Sequence, residues 1–381
     1  MCLTDRRLAL LDFDTPHGFR LDVSSLSSPS FATSYTLGSR GVVDGSISYL
    51  YSSLPLSVAS NSSEIDLKHL IRGYRHLVEL RRPDEPYWWE IWHKGKRVDK
   101  KDALLYGRIY LPTSTLEALY LRRITPTRLL RLTAVSDSLL PNGGSILASL
   151  QSDYGKYSTE YLYSTDSSML GARGLYNFDF DPRQGLTGPE PGSEMISASN
   201  SPNSATPERQ HGRLSAGAEV YFSPLNKSGG MSTAIRFATL PTHTGFPYTM
   251  TLTCNPLMGG ISSGWAVKAG EDLALCSRFN FNFYSYESAV QVGMELWRRR
   301  QLDPSTAWAR RMLRPDWAVA KQPEHDDYDG VLKVRADQNW KIGILWEGRV
   351  KGLLLSMGAA LDLRRKERVM GSVGLEVSYS S

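Results

Sequence analysis

The chain has 381 residues, of which 41% are hydrophobic and 22% charged, so it is long enough for two or three soluble domains or for one large barrel. Its net charge of +5 comes without a clustered stripe of lysine and arginine, which excludes a nucleic-acid-binding surface. The 19 tyrosines, 9 tryptophans and 32 glycines favour strands, turns and interfacial aromatic residues. Composition leaves a soluble β protein and a membrane barrel both open.

No motif for a metal, a cofactor or catalysis is found. Cys2, Cys254 and Cys276 have neither CxxC spacing nor neighbouring histidine pairs, and the 7 histidines are scattered. The acidic residues near His325 lack the glycine and the terminal glutamate of a calcium loop. GxSxG, HExxH and P-loop patterns are absent from the sequence, so we expect a protein that is not an enzyme.

The sequence contains no recognisable targeting signal or spanning helix. The apolar run at residues 8–11 is too short for a secretory signal, and four aspartates within the first 22 residues do not suit a matrix transit peptide. The longest largely apolar run, residues 352–361, is half of the about 20 residues that a spanning helix needs. Membrane strands need only about 10 residues each, so this pattern leaves a barrel possible.

Alternating apolar and polar residues appear from the start of the chain. Residues 19–24 and 31–38 alternate with a period of two, and the next run puts Tyr49 and Tyr51 opposite Ser46 and Ser48. The first fifty residues therefore predict three strands. The spacing then becomes helical over residues 62–80, which predicts a helix or an irregular strand, followed by an aromatic cluster with Trp88, Trp89 and Trp92.

Strand patterns resume at residue 104 and continue to the end of the chain, with two interruptions. Residues 182–211 hold five prolines and few large apolar side chains, which predicts a disordered loop within one domain. Residues 298–329 predict a second irregular loop, with a short helical pattern at residues 305–313. We therefore expect a short N-terminal segment, residues 1–17, and a single barrel domain, residues 18–381, with about 18 to 20 strands by this count.

Nearly every predicted strand keeps one apolar face and one polar face. Phe279, Phe281 and Phe283, for example, alternate with polar residues, and the closing strand repeats the pattern at residues 372–379. Soluble sandwiches and propellers would vary in this respect, whereas a closed barrel in lipid requires it. Seven cationic residues fall on the polar faces and are predicted to face the lumen: Arg20, Arg108, Arg131, Arg236, Lys333, Arg335 and Lys341.

Several long runs resemble a known family. The runs are GFRL at 18–21, FATSY at 31–35, DGSISYLYSS at 44–53, LLYGR at 104–108, NWKIG at 339–343 and WEGRVK at 346–351. They are similar to the fungal family of mitochondrial distribution and morphology protein 10, from about residue 10 to the end. The resemblance implies an all-β transmembrane barrel of the porin class with 19 strands, in which residues 19–26 pair in parallel with residues 369–380.

The same resemblance implies specific residues and partners. Ser372, Gly374, Val377 and Tyr379 fit the β-signal that directs mitochondrial barrels into the outer membrane. Family members usually carry an amphipathic N-terminal helix inside the pore, and only residues 1–10 precede the matching part of this chain. The implied roles are outer-membrane anchor of the encounter structure between endoplasmic reticulum and mitochondria, and subunit of the sorting and assembly machinery for barrels.

These roles imply partners but no cofactor. The expected partners are the tether subunits, the barrel and receptors of the sorting machinery, and membrane lipids. Tyr49 and Tyr51 are candidate partner-binding residues because contact surfaces on a barrel wall should be aromatic and close to the membrane. The alternative is a metabolite channel like the voltage-dependent anion channel, in which the seven cations would favour anions.

Overall fold

The structure, a computed structural model of the chain, describes residues 10–39, 43–56, 62, 65–74, 90–93, 96–99, 102–125, 127–138, 140, 143–178, 212–240, 243–299, 328–364 and 370–381. In this part of the chain no helix has the length and apolar character needed to cross a membrane. The principal element is one sheet of 19 strands.

The strands are numbered β1 to β19 in chain order. They span Gly18–Ser28, Phe31–Ser39, Val43–Ser52, Asp102–Leu111, Leu116–Thr125, Arg128–Ser136, Gly144–Asp153, Tyr157–Ser164, Met169–Asn177, Gly212–Ser223, Ser228–Thr239, Tyr248–Asn255, Gly260–Lys268, Leu273–Asn282, Glu287–Arg299, Tyr328–Asp337, Lys341–Val350, Leu353–Asp362 and Met370–Ser380. A separate hairpin, Glu90–His93 with Lys96–Asp99, and a one-turn helix, Leu67–Leu70, lie in the connection between β3 and β4.

The sheet closes on itself. Each strand pairs antiparallel with the next, and β19 returns to β1 in parallel, with Leu21 opposite Val377. An odd number of strands in an up-and-down order leaves the first and last strands pointing the same way, so the closing pair must be parallel. The predicted all-β barrel of 19 strands with a parallel seam is confirmed.

Side-chain alternation gives the barrel two different walls. On β14 and β15, Phe279 and Val292 are 45% and 51% exposed on the outer wall, although they are large and apolar. Their chain neighbours Arg278 and Gln291 are hydrogen-bonded to each other on the inner wall. Because no second sheet covers the outer residues in the described part of the chain, the wall presents an apolar surface to its surroundings, as lipid requires.

All the longest connections leave the same end of the barrel. They are residues 53–101 between β3 and β4, residues 178–211 between β9 and β10, and residues 300–327 between β15 and β16. The opposite end has shorter turns, such as residues 112–115 and 256–259. We call these the long-loop end and the short-turn end.

The structure changes two predictions made for these connections and leaves others untested. Of the helical pattern at residues 62–80, only Leu67–Leu70 forms a helix among the described residues. The irregular loop predicted for residues 298–329 is shorter than expected. Two residues at each of its ends belong to strands, because β15 ends at Arg299 and β16 begins at Tyr328. Residues 182–211, 305–313 and 325–327, with Trp88 and Trp89, lie outside the described residues.

The parallel seam predicts a specific cross-link. In a chain with its native cysteines replaced by serine, Leu21→Cys with Val377→Cys should form an intramolecular disulfide, because paired strands lie about 4.8 Å apart, within the range a disulfide spans. The control pair, Leu21→Cys with Val373→Cys, is displaced by four residues, about 13 Å. Non-reducing electrophoresis after oxidation would refute this register if both pairs cross-linked equally.

Candidate functional site

An N-terminal segment, residues 10–17, lies inside the barrel, and we call it the strap. Leu10 and Leu11 are buried against Ala266, Ala274 and Cys276 on the inner wall of β13 and β14. These wall residues are small, which leaves room for the two leucines. Burying a leucine side chain stabilises by about 1.5–3 kcal/mol, so the contact fixes this end of the strap.

Polar contacts hold the middle of the strap. Asp12 receives two hydrogen bonds from the Arg278 guanidinium, at 2.7 and 2.8 Å. Arg335 donates to the Leu11 carbonyl oxygen at 2.9 Å, and its guanidinium lies 4.9 Å from the centre of the Phe13 ring. Bidentate arginine–carboxylate pairs fix orientation as well as distance, so the strap has a defined path along the wall.

The far end of the strap crosses the strands next to the seam. A Cβ atom added to Gly374 of β19 would overlap the backbone of Pro16 and His17, and one added to Gly358 of β18 would meet the Pro16 ring. Both positions are therefore glycines where the strap passes closest to the wall. Gly374 is thereby both a predicted β-signal residue and part of the surface under the strap.

A second segment, residues 65–74 of the β3–β4 connection, also lies inside the barrel, and we call it the lumenal segment. The Asp66 carboxylate accepts from the Lys68 amide at 3.1 Å and begins the helix Leu67–Leu70. Leu67 and Ile71 are buried against the inner wall, together with Tyr328 and Val331. This packing places the lumenal segment near the long-loop end.

Two charged wall residues bind the backbone of the lumenal segment. The Lys333 ammonium donates to the Arg72 carbonyl and to the Glu347 carboxylate, both at 2.7 Å. The Glu295 carboxylate accepts from the Tyr74 amide at 3.1 Å and from the Trp297 indole. Glu295 is 0% exposed and Lys333 2%. Removing one partner of such a buried charge costs about 3–5 kcal/mol, so the segment and the wall depend on each other.

The seven predicted lumen cations lie on the inner wall, but they form no ring. Arg335 and Lys341 lie beside the strap, and Lys333 contacts the lumenal segment. Arg20 and Arg108 line a cavity together with Ile65 and Ile71. Arg131 and Arg236 share the inner face with buried neighbours by register, Ser149 for the first and Ser215 and Thr251 for the second.

The β-signal residues divide between the two walls. Gly374 is buried under the strap, and Ser372 alternates in phase with it on the inner side. Val377 and Tyr379 have the opposite phase, and Tyr379 is 45% exposed on the outer wall. Two of the four residues are thus accessible from the bilayer once the barrel is closed.

The candidate partner-binding tyrosines lie on the outer wall, two strands from the seam. Tyr49 and Tyr51 of β3 are each 48% exposed. The Tyr49 ring is stacked on Phe31 of β2, with ring centres 6.1 Å apart and an interplanar angle of 16°. The Tyr49 and Phe31 rings therefore lie nearly parallel to each other on the outer wall of β3 and β2.

The opposite side of the lumen is less filled. A cavity of about 880 Å³ is bordered by strands β7 to β15. Its charged lining consists of Glu160, Arg173, Glu219 and Glu287. Arg173 lies 3.5 Å from the Glu160 carboxylate and 3.2 Å from that of Glu219, so its charge is already paired. Among the described residues no group of three or more metal-binding side chains is placed to hold an ion.

Neither the strap nor the lumenal segment was predicted from the sequence. The available signal was weak: Leu10 and Leu11 end a short apolar run, and Leu67, Ile71 and Tyr74 are apolar residues inside a connection. Glu295 and Lys333 were visible only as polar-face residues, because their partners lie more than two hundred positions away in the chain.

Comparison with known proteins identifies the family. The model for mitochondrial distribution and morphology protein 10 matches residues 2–316 and 311–381. The chain belongs to this family. A member from Phaeosphaeria nodorum is 62% identical over 98% of this chain and 92% of its own length, and one from Sclerotinia sclerotiorum is 56% identical over 100% and 94%. A Neurospora crassa member is 41% identical over 98% and 93%.

Membership in this family confirms the resemblance seen in the sequence runs. Together with the closed barrel and its apolar outer wall, it supports a mitochondrial membrane protein with a role in mitochondrial distribution and morphology.

Substitutions at Gly374 and at Val377 should impair membrane insertion for different reasons. Gly374→Ala with Val377→Gln should leave translation normal and abolish carbonate-resistant membrane protein. The added methyl group overlaps the strap, at a cost of about 1–3 kcal/mol, and the glutamine puts an amide against lipid. Deleting residues 1–17 should restore insertion of Gly374→Ala alone but not of Val377→Gln alone.

The deletion with Gly374 intact is the control for that experiment. If Gly374→Ala stays uninserted without the strap, its defect lies in recognition during insertion and not in the contact with Pro16.

Proposed function

We propose that this protein is an integral barrel of the mitochondrial outer membrane with two scaffolding roles. In one it anchors the encounter structure between endoplasmic reticulum and mitochondria, a tether at which phospholipids are exchanged. In the other it is a subunit of the sorting and assembly machinery that matures other barrels. Both roles are non-enzymatic and require no cofactor. The observation that carries the proposal is a closed sheet with an apolar outer wall whose longest connections all leave one end.

Two observations support the outer membrane as the location: the chain belongs to a family named for mitochondrial distribution and morphology, and its closed barrel has an apolar outer wall. Since binding residues are often carried by loops on a rigid scaffold, the long-loop end is the part of the barrel best suited to hold the tether subunits.

The outer wall supplies a second contact surface within the bilayer. Tyr49 and Tyr51 offer exposed aromatic area, and the Tyr49 ring is preorganised by stacking on Phe31. Each tyrosine carries a hydroxyl group that lipid tails cannot satisfy. A protein partner could cover the rings and bond the hydroxyls, so we assign these residues to partner binding. The chemistry suits the tether subunits or the barrel and receptors of the sorting machinery, with membrane lipids covering the rest of the wall.

A cavity in the lumen supports passage of small solutes as a second candidate function. Of its four charged lining residues three are carboxylates, and the single guanidinium is paired with two of them. None of the seven cations expected to select anions lines this cavity. Two of them, Arg335 and Lys333, already bind the strap and the lumenal segment. Any current through this cavity should therefore prefer cations.

The tyrosine surface is tested by paired substitutions. Tyr49→Ala with Tyr51→Ala should lower co-purification of the tether subunits, or of the sorting machinery, by tenfold or more, since losing about 1.4 kcal/mol is a tenfold loss of affinity. Tyr161→Ala with Tyr163→Ala is the matched control, because these tyrosines have the same spacing and outward orientation on β8. Quantitative mass spectrometry of the purified complexes measures both. Unchanged recovery of every partner would remove the assignment.

Selectivity is tested on purified protein in planar bilayers. Under a potassium chloride gradient the reversal potential should show cation preference, and Glu160→Gln with Glu287→Gln should shift it toward zero because negative lining charge is lost. Glu117→Gln, on the inner wall outside this cavity, should change it little. Absence of conductance would reject the second candidate and leave the scaffold proposal standing. Anion selectivity would refute the cation preference assigned to this cavity and favour the anion channel instead.

A further inference from the structure

The strap and the lumenal segment come from different parts of the chain, and Tyr74 of the lumenal segment packs on the buried cluster that contains Leu10 and Leu11 of the strap. We propose that Tyr74 joins them into one interlocked unit, so that displacing the lumenal segment at the long-loop end releases the strap that crosses near the seam. This coupling requires no assumption about which partners the protein binds.

Tyr74 makes contacts in both directions. Its side chain packs against the buried cluster that contains Leu10 and Leu11 of the strap. Its hydroxyl group lies 3.2 Å from the Thr249 hydroxyl on β12, and its amide donates to the fully buried Glu295. One residue of the lumenal segment therefore packs on the cluster to which the strap contributes Leu10 and Leu11, and is itself fixed to the wall at two points.

Gly73, the residue before Tyr74, lies in close contact with the barrel wall. A Cβ atom on Gly73 would approach the Glu295 carboxylate to 2.6 Å and the Trp297 ring to 2.9 Å. Similarly, a Cβ atom on Gly293 would meet the side chain of Leu11 at 2.8 Å. Gly73 thus lets the backbone of the lumenal segment lie against the wall, and Gly293 leaves room on the wall for the Leu11 side chain.

Buried charge makes partial release unfavourable. If the lumenal segment moved away, Lys333 would lose the Arg72 carbonyl, Glu295 would lose the Tyr74 amide, and Arg349 would lose the Ile65 carbonyl. Lys333 would keep Glu347 and Glu295 would keep the Trp297 indole, but each would lose one partner at a buried site, so the segment is expected to be docked or undocked as a unit. Undocking would remove Tyr74 from the cluster that contains Leu10 and Leu11, and the burial of that cluster should then fall.

The strap carries the change toward the other end of the barrel. It runs from the wall of β13 and β14 to Pro16, which packs on Gly358 and lies over Gly374 before β1 begins at the short-turn end. A binding event on the β3–β4 connection could in this way alter contacts at the seam. Such coupling requires an element with two discrete arrangements. In this proposal the element is the interlocked unit, and its two arrangements are docked and undocked.

Cys276 provides a native reporter of strap docking. It is 3% exposed beneath Leu10 and Leu11, whereas Cys254, on a different strand and outside this cluster, is partly exposed. In full-length Cys2→Ser protein reconstituted in phosphatidylcholine vesicles, Tyr74→Ala should raise the maleimide labelling rate of Cys276 at least tenfold and leave that of Cys254 unchanged. Tyr74→Phe keeps the ring and the backbone amide and removes only the hydroxyl contact with Thr249, so it should stay within about threefold of the parent.

Tyr110→Ala is the matched control, because Tyr110 is an inner-wall tyrosine whose hydroxyl donates to Glu117 away from the strap. It should leave Cys276 shielded. Heat-modifiable migration on gels verifies that each barrel is folded. Unchanged Cys276 labelling in folded Tyr74→Ala protein would overturn the proposal, as would equal exposure of Cys276 in Tyr110→Ala.

The reverse direction supplies a test that needs no change at Tyr74. In a cysteine-free chain carrying Leu67→Cys, a position that is 1% exposed, Asp12→Asn with Leu11→Ser loosens the strap. The coupling predicts that Cys labelling at position 67 rises at least fivefold. Continued shielding there, with the strap substitutions in a folded barrel, would show that the two segments dock independently.

Discussion

Closure of the backbone hydrogen-bond ladder is the constraint on which the rest of the structure depends. In lipid an unpaired strand edge leaves amide and carbonyl groups without partners, each at a cost of several kcal/mol, so the first and last strands must meet. With 19 strands they can meet only in parallel, and residues 18–24 pair with residues 374–380. Parallel pairs are slightly less stable per residue than antiparallel ones. Contacts added beside the seam, such as that of Pro16 with Gly374, therefore stabilise the barrel where its strand pairing is least stable per residue.

The lumen obeys a different constraint. A barrel this wide can hold water, so charges on its inner wall need not be paired. On the side of the strap and the lumenal segment, Glu295 and Lys333 are fully buried as well as paired, because these segments cover the wall there. Both charges bind backbone groups of the lumenal segment, and the segment needs them in return. The other side keeps a cavity, and the barrel is consequently asymmetric across its diameter.

The strands could be predicted from the sequence because their signal is local. Phe279 and Arg278 are neighbours in the chain and face different solvents, and such alternation needs no knowledge of distant residues. The lumenal segment could not be predicted in the same way. Its apolar residues have helical spacing, but only Leu67–Leu70 is helical, because Arg349 and Lys333 bind the carbonyl groups of Ile65 and Arg72 that a helix would otherwise use.

The period-two geometry also separates the two kinds of surface along a single strand. On β3, Tyr49 points outward beside Phe31, while Ser46 on the inner wall accepts a hydrogen bond from Arg108 at 2.9 Å. Because adjacent residues face opposite walls, a substitution at Tyr49 changes the outer wall without disturbing the lumen. Gly374 has no side chain on the inner face of β19, so Pro16 and His17 of the strap lie against the backbone of the strand itself. A change in the path of β19 at this point would therefore alter the strap contact directly.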